Sequence, residues 1–167
     1  MKLLAIDLGL KLGYAYRNSQ NELQSGICHL GENKKASREI RWVVLYRFLE
    51  DLHYLEGFEG VAYEQPGRLF GYAKKILPGI QAIIELWAAQ NGLSIQVGSP
   101  SALKKFATGD GKADKPMMQL SAMLRWPGRA FVGHDEIDAL FLLTFFEKKY
   151  VREVGDKELP ETQQPGN

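Results

Sequence analysis

Four acidic side chains stand at the edges of apolar runs that must be buried for this chain to fold. Asp7 follows Leu3-Leu4-Ala5-Ile6, Glu64 follows Val61-Ala62-Tyr63, and Asp135 and Asp138 precede Ala139-Leu140-Phe141-Leu142-Leu143. A carboxylate at the edge of a dry region is costly unless something positive compensates it, and hard divalent cations bind through carboxylate oxygen. Asp135 and Asp138 are three apart, on one face of a helix, where they repel unless a cation lies between or beside them. Taken singly, each acid also fits a plain role. Asp7 before Leu8-Gly9 suits a strand end entering a turn, Glu64 before Gln65-Pro66-Gly67 a solvated strand terminus, and Asp135 the N-cap of a helix. The combination points to a metal-dependent enzyme.

The 167 residues, 45% hydrophobic and 25% charged, suit one globular domain with a sizeable core. No run approaches the roughly 20 apolar residues of a membrane span, and Met1-Lys2 leads directly into a strand-like segment rather than a signal peptide. A soluble, cytoplasmic protein is expected, a phage-encoded one acting in the host cytoplasm included. The single cysteine, Cys28, excludes an intramolecular disulfide and a cysteine-rich zinc site, and reads as filler in a strand.

A net charge of +1 conceals segregation: residues 1–64 hold 8 Lys/Arg and 9 Asp/Glu, residues 65–133 hold 9 and 3, and residues 134–167 hold 4 and 8. A basic middle between acidic positions suits an enzyme acting on a polyanion, with lysines tracking phosphates and carboxylates holding metal at the scissile one. The plain alternative is a solvated helix face. Lys74, Lys75, Lys104, Lys105, Lys112, Lys115, Arg125 and Arg129, however, span several elements.

Apolar patterning predicts a strand over Leu3–Asp7, a tight turn bracketed by Gly9 and Gly13, a second strand over Tyr14–Arg17, and a third over Glu22–Leu30. Ile40, Val43, Val44, Phe48, Leu52 and Leu55 recur at helical spacing within a helix from about residue 36 to 55. A short strand follows at Val61–Glu64, then a helix from about Tyr72 to Asn91 carrying Ile76, Ile80, Ile83, Ile84 and Trp87, with Pro78-Gly79 set to kink it or delay its start. A fifth strand spans Leu93–Val97; strand, helix and strand in that order form a right-handed parallel unit. Helices are expected from Pro100 to Phe106, Asp114 to Leu124, and Asp135 to Tyr150. The domain boundary falls at 152, and residues 153–167 read as a polar, disordered tail.

Five motifs in order carry a resemblance: Ile6-Asp7-Leu8-Gly9 with Gly13-Tyr14-Ala15; Ala62-Tyr63-Glu64-Gln65; Pro100-Ser101-x-x-Lys104; Thr108-Gly109-x-Gly111-x-Ala113-x-Lys115; and His134-Asp135-x-x-Asp138-Ala139-Leu140. The pattern resembles the RNase H-like nucleases and, more narrowly, the RuvC family of Holliday-junction resolvases with its phage-encoded branch. The resemblance implies an α/β fold, a mixed five-stranded sheet of three antiparallel and two parallel strands flanked by helices. It also implies a homodimer cutting symmetrically related strands of branched DNA. Asp7, Glu64, Asp135 and Asp138 would be the ligands of two magnesium or manganese ions, Lys104 and Lys115 the basic residues near the scissile phosphate. No nucleotide cofactor is implied.

The chain departs from the pattern in two places. The glycine turn after Asp7 is one residue shorter than in typical bacterial members, with Lys11 where a small polar residue is common. After Glu64 the chain has its own Pro66-Gly67-Arg68-Leu69-Phe70, in the segment with which the family probes the junction. Arg68, Phe70, Lys74, Lys75, Lys104, Lys105, Lys112 and Lys115 form the expected DNA-contacting set, with Phe70 and Tyr72 able to stack on bases or to pack under the following helix. His134 beside Asp135 is either a site member or a surface residue at a helix start.

Three other functions fit parts of the sequence. Asp7-x-Gly9 also resembles the first phosphate loop of actin-like and sugar-kinase phosphotransferases, but the chain lacks their second domain and second glycine-rich segment. A non-catalytic branched-DNA-binding protein would be marked by loss of one or more acids, and all four are present. A nuclease with the same site for flaps or RNA-DNA hybrids is compatible with the residues.

Overall fold

The computed structural model describes residues 1–31, 37–66, 71 and 73–157, with 151–157 described by their backbone alone. Its elements run β1 (Leu3–Asp7), β2 (Lys11–Arg17), β3 (Leu23–His29), α1 (Arg38–Glu56), β4 (Gly60–Glu64), α2 (Ala73–Gln90), β5 (Ser94–Gly98), α3 (Pro100–Thr108), α4 (Lys115–Arg125) and α5 (His134–Lys157). The strands form one sheet in the order β3-β2-β1-β4-β5. β1 to β3 pair antiparallel, and β4 and β5 continue the sheet parallel to β1. This is the mixed sheet expected from the sequence. Among the described residues no helix is long and apolar enough to cross a membrane.

Side chains alternate across a strand, so each strand serves two cores. Leu4, Ile6, Val61 and Tyr63 pack against Leu45 and Leu49 of α1 and Ile76, Ile80, Ile84 and Trp87 of α2. Leu3, Ala5 and Ala62 face the other way, against Leu103 of α3 and Leu140, Leu143 and Phe146 of α5. On that second face Ala15, Ala5 and Ala62 stand side by side across β2, β1 and β4. This low strip lets α5 lie close to the sheet, with the Arg17 Nε to Glu147 Oε1 ion pair at 2.8 Å tying its later turns to β2.

Serine and aspartate set the helix starts by accepting backbone N–H groups that the first turn leaves unpaired. Ser37 does this for α1, Ser99 for α3 and Asp114 for α4. Gly57 and Gly109 close α1 and α3 in the left-handed conformation.

Three expectations are corrected. Gly13 lies inside β2 opposite Asp7 rather than in the turn, because β2 begins at Lys11. On α1 the buried positions are Arg41, Leu45 and Leu49, whereas Ile40, Val43, Val44 and Leu55 are exposed. Apolar residues surround this helix, so periodicity alone does not select a face; contact with α2 does, through Trp42 against Gly79 and the Tyr46 Oη to Gln90 hydrogen bond. α2 runs from Ala73 through Pro78 to Gln90, as the helix expected from about Tyr72 to Asn91 requires. Finally, α5 runs beyond the expected end at Tyr150 to Lys157. The remainder of the expected tail, from 158, lies outside the described residues.

Candidate active site

The parallel pairing of β1 with β4 sets Ile6 opposite Tyr63, so the next residues, Asp7 and Glu64, end neighbouring strands at one edge of the sheet. By strand alternation both point to the face covered by α5. There the low alanine strip continues into Gly13, opposite Asp7, and a Cβ built on Gly13 would stand 1.9 Å from the Asp135 carbonyl oxygen. The bare backbone of β2 thus lets the first turn of α5 come down beside β1. That turn carries Asp135, and Asp138 follows one turn along.

Two further helix starts, those of α3 and α4, reach the same edge as that of α5. β5 ends at Gly98, opposite Glu64, and Ser99 caps α3, which carries Lys104. α4 opens on Lys115 after its Asp114 cap, and α5 opens on His134.

The electrostatics show which groups meet. Burial raises the Asp7 carboxyl well above the usual carboxylate range; Asp138, Asp135 and Glu64 raise it further, and Lys115 opposes them. Glu64 is pushed up to about 7, chiefly by burial and then by Asp138, with Lys104 pulling it down. Asp138 is raised to about 6 by burial and Asp135, against His134, Lys115 and Lys104. The structure therefore brings all four acids, Lys104, Lys115 and His134 into one electrostatic group. Lys74, Lys75, Lys105 and Lys112 are exposed. Arg68, Phe70 and Tyr72 lie outside the described residues.

An all-carboxylate donor set fits a hard divalent cation, and at three of the four acids burial first, and the neighbouring acids after it, make negative charge costly to carry. Among the described residues no three His, Cys, Asp or Glu side chains stand close enough to share one ion. The acids are thus grouped and coupled through space rather than closed into a chelate.

Two residues escaped the sequence reading. Gly13 was assigned to a turn, and its position opposite Asp7 became visible only with the β1–β2 register. Glu136 is 2% exposed. Its sequence signal was three acids in four residues, which cannot all share one helix face, so one of them must turn elsewhere.

No family model matches the chain. Over 154 residues, 84% of this chain and 85% of the relative, it is 30% identical to the crossover junction endodeoxyribonuclease RuvC of Cereibacter sphaeroides. The fold is similar to that of Thermus thermophilus RuvC, solved in complex with a Holliday junction substrate, at a TM-score of 0.70 and 14% identity over 90% of this chain and 96% of that one. It is also similar to the yeast mitochondrial Holliday junction resolvase Ydc2, at a TM-score of 0.59 and 12% identity over 94% and 86%. Sequence and fold agree, and the chain belongs to the RuvC family of crossover junction endodeoxyribonucleases.

Proposed function

We propose that this protein resolves four-way DNA junctions by paired, symmetric phosphodiester hydrolysis in the cytoplasm. The observation that carries the reading is the convergence of Asp7, Glu64, Asp135 and Asp138 with Lys104 and Lys115 at one sheet edge, in a member of a junction-cutting family.

Asp7, Glu64, Asp135 and Asp138 would hold magnesium or manganese, taken as two ions. When bound, the metal activates water for in-line attack on phosphorus and neutralises charge on the leaving 3′ oxygen. The acids act as ligands rather than nucleophiles. Asp7 has the central position, since all three other acids act on it. Lys115, which acts on both Asp7 and Asp138, offsets the charge that develops on the non-bridging phosphate oxygens. Lys104 does the same from the side of Glu64. Both lysines also oppose the repulsion among the acids before substrate arrives. The exposed Lys74, Lys75, Lys105 and Lys112, with Arg68 and Phe70, guide the junction arms onto this edge.

The working form is a homodimer, which sets two sites on opposite strands of one junction. Supporting it, the α1–α2 layer leaves Ile40, Val43, Val44, Leu55 and Leu86 exposed, apolar side chains that a second copy could cover. Light scattering at twice the monomer mass is the expected result.

The substrate test compares a four-way junction with linear duplex, a flap and an RNA-DNA hybrid. Preferential cutting of the junction supports resolution. Preferential cutting of the flap or hybrid transfers the same chemistry to another substrate, and binding without cutting in any metal leaves an architectural protein.

A further inference from the structure

We propose that Glu136 is a positioning residue that holds Asp135 and Asp138 in register with Asp7 before metal binds, an inference that rests on the metal-site reading above. In the first turn of α5, Glu136 projects about 100° away from Asp135. It is buried, and its contacts run toward the sheet and the preceding loop rather than to the cation site. One carboxylate oxygen accepts from the Ser25 hydroxyl on β3, and the other accepts from the Val132 backbone N–H at 2.6 Å. Ser25 accepts in turn from Arg129 Nη2 at 2.7 Å, and Arg129 Nη1 donates to the Leu23 carbonyl at 3.3 Å. The result is a continuous strut from β3, through Ser25, to the first turn of α5, with Arg129 bracing it against the same strand.

This strut answers a mechanical need. Asp7, Asp135 and Asp138 repel one another, and that repulsion drives the start of α5 away from β1. Gly13 allows the close approach but supplies no attraction. Glu136 and Ser25 supply it, one strand further on: Ser25 pairs with Ala15 of β2, which pairs with Ala5 of β1. A fifth carboxylate, fully buried next to the four of the site, is a poor choice for stability alone, since an apolar residue of similar size avoids its desolvation. Its value lies in direction: two fixed acceptors define where the turn sits, as outer hydrogen bonds fix metal ligands elsewhere.

The test is direct binding of Mn2+, read from the loss of the free-ion paramagnetic resonance signal, in wild type, Glu136→Ala, Glu136→Gln and Ser25→Ala. The alanine variants are expected to weaken Mn2+ binding about tenfold or more, while Glu136→Gln, which keeps an acceptor and the side-chain length, stays within about threefold of wild type. Junction cleavage should follow with a lowered kcat and an unchanged KM. A merely structural role would lower Tm and leave the Mn2+ constant alone. Equal Mn2+ constants in wild type and Glu136→Ala would overturn the inference while leaving the metal site standing. Absence of Mn2+ binding by wild type would remove the metal site and this inference with it. Should Glu136→Ala fail to fold, Ser25→Ala decides, because it cuts the link to β3 and keeps the Val132 contact.

Discussion

The Asp135 carbonyl oxygen occupies the space that a Cβ on Gly13 would need: the two would be 1.9 Å apart. Any side chain at position 13 must therefore push the first turn of α5 off β2, carrying Asp135 and Asp138 away from Asp7. Gly13→Ala is expected to slow junction cleavage by about 100-fold, the scale of a misplacement of roughly 1 Å. Junction affinity should hold within a few-fold, because the exposed lysines are untouched. Single-turnover cleavage beside a gel-shift titration checks both, and wild-type rates from this variant would refute the close-approach argument.

Asp7→Asn keeps the shape and removes the charge on which the other three acids act. Two effects of opposite sign are expected. Cleavage is lost, while the metal-free protein at pH 8 becomes more stable than wild type, since repulsion is relieved. Thermal denaturation in chelator reads the second effect, and a lowered Tm would mean that the acids are not strained against one another.

The pH dependence of stability has a definite sign. Glu64 and Asp138 titrate higher in the folded protein than their ordinary values of 4.5 and 3.8, at about 7 and about 6. Between those limits the folded state holds more protons than the unfolded one, so stability falls as pH rises. The stability these groups confer is complete below pH 4 and lost by about pH 7. Denaturant midpoints in chelator should therefore drop from pH 5 to pH 8, and Glu64→Gln should flatten the slope. A rise over the same window would contradict the assigned environments.

Lys115 and Lys112 separate chemistry from binding. Lys115 acts on Asp7 and Asp138, whereas Lys112 is exposed on the loop before α4. Lys115→Ala is expected to cut the cleavage rate by about 100-fold at saturating junction. Lys112→Ala should instead weaken binding and reduce its salt dependence by about one charge. Equal effects of the two substitutions on rate and affinity would remove the distinction.

The antiparallel strands, the parallel strand-helix-strand unit and the four acids were legible in the sequence because β1 and β4 are short apolar runs ending in turn signals and each acid closes or opens such a run. The five-stranded mixed sheet followed from the family resemblance, and the strand order came only with the structure. The face of α1 was not legible, since apolar residues lie on all its sides and packing against the sheet and α2 selects Leu45 and Leu49 over Val43 and Val44. Gly13 was misplaced for a related reason: a glycine needed for a turn and one needed for close approach look alike until strand register is known. Glu136 was passed over because its partners, Ser25 and Val132, lie 111 and 4 residues away, and only the first of these ties α5 to the sheet. Long-range polar contacts of that kind leave no periodic trace in a single chain.

The most direct measurement is strand-specific cleavage of a labelled four-way junction by wild type and Asp7→Asn in magnesium, in manganese and in chelator. Paired symmetric nicks near the junction centre, present with either metal and abolished both by chelator and by the substitution, are the expected result. Equal cleavage by Asp7→Asn, or cutting that persists in chelator, would contradict the four-carboxylate site.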